Sequence, residues 1–259
     1  MKKNKYFNCP MAIFENYFEN PSKCLDNAYD YALWNYAKDI QCETIEEEST
    51  VEFLSRFDLN KRSINNSNNK DHICDLIKFY KAEDYFEVKT GNFEKTISNG
   101  KKLVEKYNRT KEPFTNISTH IWFDYYKNEK TEWENIMLLA FLGIRSIIGN
   151  KSYCKITNLY LFSRMAGFRK SVKSKDELPE ILQKYYSEYF KRKIREELEI
   201  NWHMVTSSGK GYYASFDLGL RELIVRVQKN SIKYKSKLLS KEKKQIKAEV
   251  LKDLEEGLY

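Results

Sequence analysis

Asp84, Glu87 and Lys89, in the string Asp84-Tyr85-Phe86-Glu87-Val88-Lys89, are the residues whose types and spacing come nearest to a reaction centre. Two carboxylates followed by an ammonium can hold Mg²⁺ and position a water against a phosphodiester. Such a centre needs a β-hairpin beneath it, whereas the flanks of this string read as helix, and Glu-x-Lys is common by chance. A Mg²⁺-dependent nuclease using Glu87-Val88-Lys89 is therefore the second alternative only. The cysteines number five (Cys9, Cys24, Cys42, Cys74, Cys154), an odd count with no CxxC pair, and the histidines three (His72, His120, His203). His72 with Cys74 lacks the second pair that a zinc site requires. No glycine-rich phosphate loop is present, and no Ser, His and Asp lie close enough along the chain to propose a set. The expectation is a protein with no catalytic residues, no metal and no cofactor, and so not an enzyme.

The cations form a clearer constellation. The 259-residue chain carries a formal charge of +8, yet residues 1–149 hold 21 basic against 23 acidic side chains while residues 150–259 hold 24 against 14. The first part stands at −2 and the second at +10, the pattern of a scaffold or partner-binding portion joined to one that meets a polyanion. Solubility charge is the plainer alternative. Arg164, Arg169, Lys170, Lys173, Lys184, Lys191, Arg192, Arg195 and Lys210 are the candidate nucleic-acid contacts. Flexible ammonium groups and planar guanidinium forks suit phosphate oxygens, and Arg can also read guanine edges.

These side chains need elements to hold them. A hydrophobic share of 41% against a charged share of 32% predicts a folded chain, not a disordered one. The longest apolar run, Ile136 to Ile144, is about half a membrane span and is followed by Arg145. The start, MKKNKYFNCP, lacks the apolar region of a signal peptide. With unpaired cysteines, the reading is a cytoplasmic protein without membrane segment or export. Residues 1–130 read as an all-α scaffold or partner domain: a helical hairpin broken at Pro21, an acidic loop Glu43–Glu48, and a polar loop Asn60–Lys70 open to proteolysis. Helical spacing then runs through Ile73–Tyr80 and Phe93–Tyr107.

Thr131 and Glu134 make a capping box ahead of a buried helix ending at Gly149. A short strand from Tyr153 to Ile156 and a helix from Leu159 to Ala166 follow. Ser174 with Glu177 opens a longer helix, Lys175 to Glu199, with Leu178, Ile181, Leu182, Tyr185 and Tyr189 on its apolar face. The Tyr185, Tyr186, Tyr189 and Phe190 cluster reads as core packing, with base stacking as the alternative. From Ile200 the period becomes two, and the turn SSGKG joins Ile200–Val205 to Gly211–Asp217 as a β-hairpin. Asp217 can cap a helix bearing Leu220, Leu223, Ile224 and Val227. Residues 231–259 read as a separate basic amphipathic helix with Leu239, Ile246, Val250 and Leu254 along a narrow seam.

Helix, strand, helix, turn, helix, hairpin over residues 131 to about 217 resembles the winged-helix DNA-binding superfamily. More narrowly, RSIIGNKSYCKITNLYLFSRMAG, a long helix and NWHMVTSSGKGYYASF are similar to replication-initiator and regulator domains of phages and mobile elements. The resemblance covers about a third of the chain and rests on element order. It implies a mainly α fold with a winged helix at 131–230. It also implies that the helix Lys175–Glu199 enters a major groove while Lys210, at the hairpin tip, reaches the backbone. The turn between Gly167 and Ser174 is long for a helix-turn-helix, and Glu196, Glu197 and Glu199 repel phosphate at the helix end. A non-enzymatic nucleic-acid-binding protein is the leading expectation, with DNA favoured over RNA as partner. The alternative is an inhibitor or accessory factor of an RNA-guided or other nucleoprotein complex.

Overall fold

The computed structural model describes residues 6–38, 93–108, 112–209 and 211–255. The acidic stretch Glu43–Glu48, the tract Asn60–Lys70, the segment Ile73–Tyr80, the string Asp84–Lys89 and Lys210 lie outside the described residues. The chain is mainly helical, with two small antiparallel sheets among the described residues.

The N-terminal part is not all helical. Strand β1 (Tyr6–Pro10) pairs antiparallel with β2 (Phe114–Ser118), Cys9 opposite Thr115. The pairing joins segments far apart in sequence, which local periodicity cannot register. Met11–Phe14 then forms a single 3₁₀ turn in place of the first helix expected before Pro21. Helix α1 (Pro21–Lys38) starts on that proline, whose fixed φ and missing N–H suit a first helical position. Against α1 lies α2 (Phe93–Asn108), where the Asn99 amide donates to Asn27 Oδ1 and Asp30 Oδ2, each at 2.9 Å.

Helix α3 (Thr119–Lys127) is capped by Ser118, whose hydroxyl accepts from Ile121 N–H at 3.2 Å. It delivers Trp122 to the core, where the indole N–H donates to the Leu25 carbonyl at 2.9 Å. Helix α4 (Glu132–Ile148) opens with the full capping box: Thr131 Oγ1 accepts from Glu134 N–H at 3.2 Å and Glu134 Oε2 accepts from Thr131 N–H at 2.8 Å. From Asn135 to Ile148 every residue but Arg145 is buried, as befits a helix apolar all round at the centre of a core. The helix ends on Gly149 at φ 54°, the left-handed region a side chain resists. Thr115 Oγ1 donates to the Leu142 carbonyl at 2.8 Å, tying the first sheet to this helix.

The remaining elements are β3 (Cys154–Ile156), α5 (Asn158–Met165), a 3₁₀ turn Lys175–Glu177, α6 (Glu180–Lys184), α7 (Glu188–Asn201), β4 (Val205–Gly209), β5 (Gly211–Ser215) and α8 (Leu220–Glu255). The second sheet has strand order β3-β5-β4 and is antiparallel throughout. Three expectations change here. The long helix Lys175–Glu199 is divided, because Pro179 cannot supply a helical N–H and Ser187 starts a new helix by capping Phe190 N–H. The hairpin begins at Val205, since α7 runs through Ile200 to Asn201 and His203 adopts φ 56° before the strand. The C-terminal helix is continuous from Leu220, with no break near residue 231.

Candidate nucleic-acid interface

Helix α7 is held by one face and open on another. Ile194 and Leu198 are buried, and Phe190 packs on Tyr185 and Trp133 with ring centroids 4.8 and 6.2 Å apart. Lys191, Arg192 and Arg195 recur at three and four residues, which places them as neighbours on one stripe of the helix. Together with Glu188 and Tyr189 they line a cleft of about 580 Å³, closed on its other side by Asn158 of α5 and by Gly211 and Tyr212 of β5. Gly211 has φ 81°, and a Cβ there would lie 2.6 Å from the Ile156 carbonyl oxygen, so only glycine lets the hairpin come this close to β3.

Each cation in the cleft has a distinct setting. Lys191 is paired with Glu188 and lies over the Tyr186 ring, 4.5 Å from its centroid. Arg192 Nε lies 3.5 Å from Glu196 Oε1, and both groups are more than half exposed, so the pair is worth about 0–1 kcal/mol and yields readily to a competing anion. Arg195 spreads over the Tyr212 ring at 5.8 Å. Burial pushes the Tyr212 phenol up, against the opposing pull of Arg195, so it stays a neutral donor at physiological pH. A second cavity, about 460 Å³, runs between Phe14–Glu19 and Pro179–Leu182. Among the described residues its lining is largely apolar, with Glu19 and Glu180 and without a cation, so the α7 cleft is the better suited of the two to an anion.

The other expected contacts are dispersed. Arg164 is not a surface cation: it is 6% exposed, and its guanidinium donates to the carbonyls of Phe168 at 3.0 Å and Arg169 at 2.8 Å and to the Tyr160 hydroxyl at 2.5 Å. Burial without a carboxylate is offset by three acceptors on the two terminal nitrogens, while the buried Nε has no hydrogen-bond partner among the described residues. Arg169, Lys170 and Lys173 are exposed on the turn that Arg164 holds. Lys184 is on α6, not on α7, so it does not join the stripe, and its ammonium lies 2.8 Å from Glu132 Oε1.

Tyr189 is 59% exposed beside the cleft and touches Phe190 edge-on at 5.2 Å, so its expected place in the core is corrected. The start of α7 at Ser187 sets this phase: Phe190 and Ile194 turn inward and Tyr189 outward. Asn158, Glu188, Tyr189, Gly211 and Tyr212 are the cleft residues missing from the sequence-based set. Tyr189 precedes Arg192 by three residues, a spacing that becomes informative once the helix start is known.

Among the described residues no group of three or more His, Cys, Asp or Glu side chains could hold a metal ion. No described helix is long and apolar enough to cross a membrane. Comparison of the chain with protein-family models, with curated proteins and with solved structures finds no match.

Proposed function

We propose that residues 131–230 form a winged helix that binds nucleic acid and that the protein acts without chemistry of its own, as a replication initiator or regulator of the phage or mobile-element kind. The carrying observation is the convergence of Lys191, Arg192 and Arg195 on one cleft between α7 and the hairpin. Element order and the strand order β3-β5-β4 suit this fold, with α7 as the reading helix and β4–β5 as the wing. The exposed turn at Arg169, Lys170 and Lys173 and the exposed Lys229, Lys241, Lys243, Lys244 and Lys247 of α8 extend the positive field that steers a polyanion inward. DNA is the favoured partner and RNA the alternative.

Glu196, Glu197 and Glu199 favour a second reading, in which the domain meets a protein component of a nucleoprotein complex. Their charge is partly answered within the chain: Glu196 faces Arg192, Glu197 accepts from the Asn201 amide at 2.6 Å, and Glu199 accepts from the Thr206 hydroxyl. Titration of labelled duplex and single-stranded DNA and RNA with the full chain at rising salt tests the proposal. Salt-dependent binding supports it, and salt-independent or absent binding moves the protein-interface reading to first place.

A further inference from the structure

Three cations and an exposed tyrosine share one cleft, and the charge beyond them changes sign. Lys191, Arg192 and Arg195 lie in the first half of α7, where the one carboxylate, Glu188, is paired with Lys191, whereas Glu196, Glu197 and Glu199 crowd its end. Phosphate is therefore favoured over the first half of α7 and repelled at its end, so a ligand confined to the first half fits this face better than one that spans the helix. Tyr189 supplies what a single strand offers in return. Its neighbours Tyr185 and Phe190 pack inward, while Tyr189 itself is 59% exposed at the cleft. An aromatic face stacks on a base only when that base has left its own stack, because paired bases in a duplex cover each other's faces. The cleft volume of about 580 Å³ falls in the range of pockets that take small organic ligands, which suits one nucleotide.

We infer that this cleft is a subsite for an unpaired nucleotide: Tyr189 stacks on the base, and Arg192 and Arg195 hold the phosphates on either side, while Lys191, paired with Glu188 and with its side chain 11% exposed, adds to the local field. The inference rests on the nucleic-acid reading and refines it, naming single-stranded DNA or RNA, or the unpaired flank of a duplex, as the ligand at α7. Asn158 and Tyr212 on the opposite wall supply amide and phenol groups for the base edge or sugar.

The test measures full-chain binding to single-stranded DNA, single-stranded RNA and blunt duplex DNA for wild type, Tyr189→Ala, Tyr189→Phe and the pair Arg192→Ala with Arg195→Ala. Circular dichroism melts verify that each variant is folded. Tyr189→Ala is expected to weaken single-strand binding by about 5- to 150-fold, the range for one base–aromatic stack. It should leave the salt dependence unchanged, since no charge is removed, and leave the blunt duplex unaffected. Tyr189→Phe should bind single strands as wild type does. The DNA and RNA arms identify which strand the cleft prefers. Equal losses on single strand and blunt duplex overturn the subsite, as does an unchanged Tyr189→Ala alongside a weakened arginine pair. A wild type that binds none of the three probes overturns the nucleic-acid reading itself, a result separable from failure at Tyr189 alone.

Discussion

Arg164 donates to the backbone carbonyl of Arg169 across 2.8 Å, so a buried cation sets the backbone from which an exposed one projects. Ser163 reinforces the turn from the same helix, its hydroxyl accepting from Val172 N–H at 3.1 Å while it donates to the Leu159 carbonyl at 2.7 Å. The unusually long connection between α5 and the following 3₁₀ turn is therefore pinned at both ends.

Arg164→Ala is expected to destabilise the protein by roughly 2–4 kcal/mol, because the carbonyls of Phe168 and Arg169 and the Tyr160 hydroxyl lose a charged donor together. Arg164→Lys should recover only part of this, since an ammonium cannot reproduce the planar fork. Urea unfolding measures both. A loss below about 0.5 kcal/mol for Arg164→Ala would place the side chain at the surface after all.

Thr131→Ala removes the acceptor for Glu134 N–H and the partner of the Glu134 carboxylate at the head of α4. The expected cost is about 1 kcal/mol, seen as a fall in Tm of about 2–4 °C. Ser187→Ala should cost a similar amount at the head of α7 and, by fraying its first turn, also weaken nucleic-acid binding. Equal binding by wild type and Ser187→Ala would show that the first turn of α7 is not part of the interface.

Glu132 links α4 to α6, accepting from Lys184 Nζ at 2.8 Å and from the Tyr185 hydroxyl at 2.6 Å. Its carboxyl is held below the usual range, first by the Lys184 hydrogen bond and then by that of Tyr185. Burial, and next the Glu132 bond, push the Tyr185 phenol up to about 12. A lowered carboxyl contributes stability above the unfolded pKa, about 4.3 for Glu, and loses it as pH falls through the folded value. A raised phenol contributes below the unfolded pKa, about 10, and loses it as pH rises through the folded one. The Tm gap between wild type and Glu132→Gln should accordingly be widest between about pH 5 and 9 and narrow at both extremes. A gap independent of pH would mean that the carboxylate's charge contributes nothing.

Burial pushes the thiols of Cys9 and Cys24 up, to about 12 and 11. Since the thiolate is the nucleophile, iodoacetamide at pH 8 should leave both unmodified in the folded protein and label them only after denaturation. Peptide mass spectrometry reads the outcome, and labelling of both under native conditions would contradict their placement in the core.

Features set by neighbours in sequence were legible. The Thr131 capping box, the Gly149 stop and the glycine-flanked hairpin all rest on interactions within a few residues, and the structure has each of them; the strand at Cys154–Ile156 was also legible, although it is held by β5 far along the chain. Pro179 was equally local but was outweighed by an apolar period that continues across it; the helix restarts at Ser187 and carries the period onward in a new phase. That phase change decides which aromatic faces out, hence the misplacement of Tyr189. The pairing of β1 with β2 and the burial of Arg164 depend on groups brought together by the fold, one across more than a hundred residues and the other on backbone carbonyls that composition does not reveal. Of the expected contacts, Lys191, Arg192 and Arg195 come together, while Lys184 is drawn to Glu132.

The central claim, that Arg192 and Arg195 contact phosphates, is tested most directly by the salt dependence of binding. Wild type and the pair Arg192→Ala with Arg195→Ala are compared on one DNA probe. Each phosphate contact contributes a log–log slope of about −0.9 on duplex or about −0.7 on single-stranded nucleic acid. The double variant should therefore bind more weakly and lose about 1.8 of slope on duplex, or about 1.4 on single strand, with a stability cost of about 1 kcal/mol from loss of the Arg195 contact on the Tyr212 ring. Glu46→Ala with Glu47→Ala, in the acidic stretch, should alter neither affinity nor slope. An arginine double variant with the affinity and slope of wild type would contradict the claim.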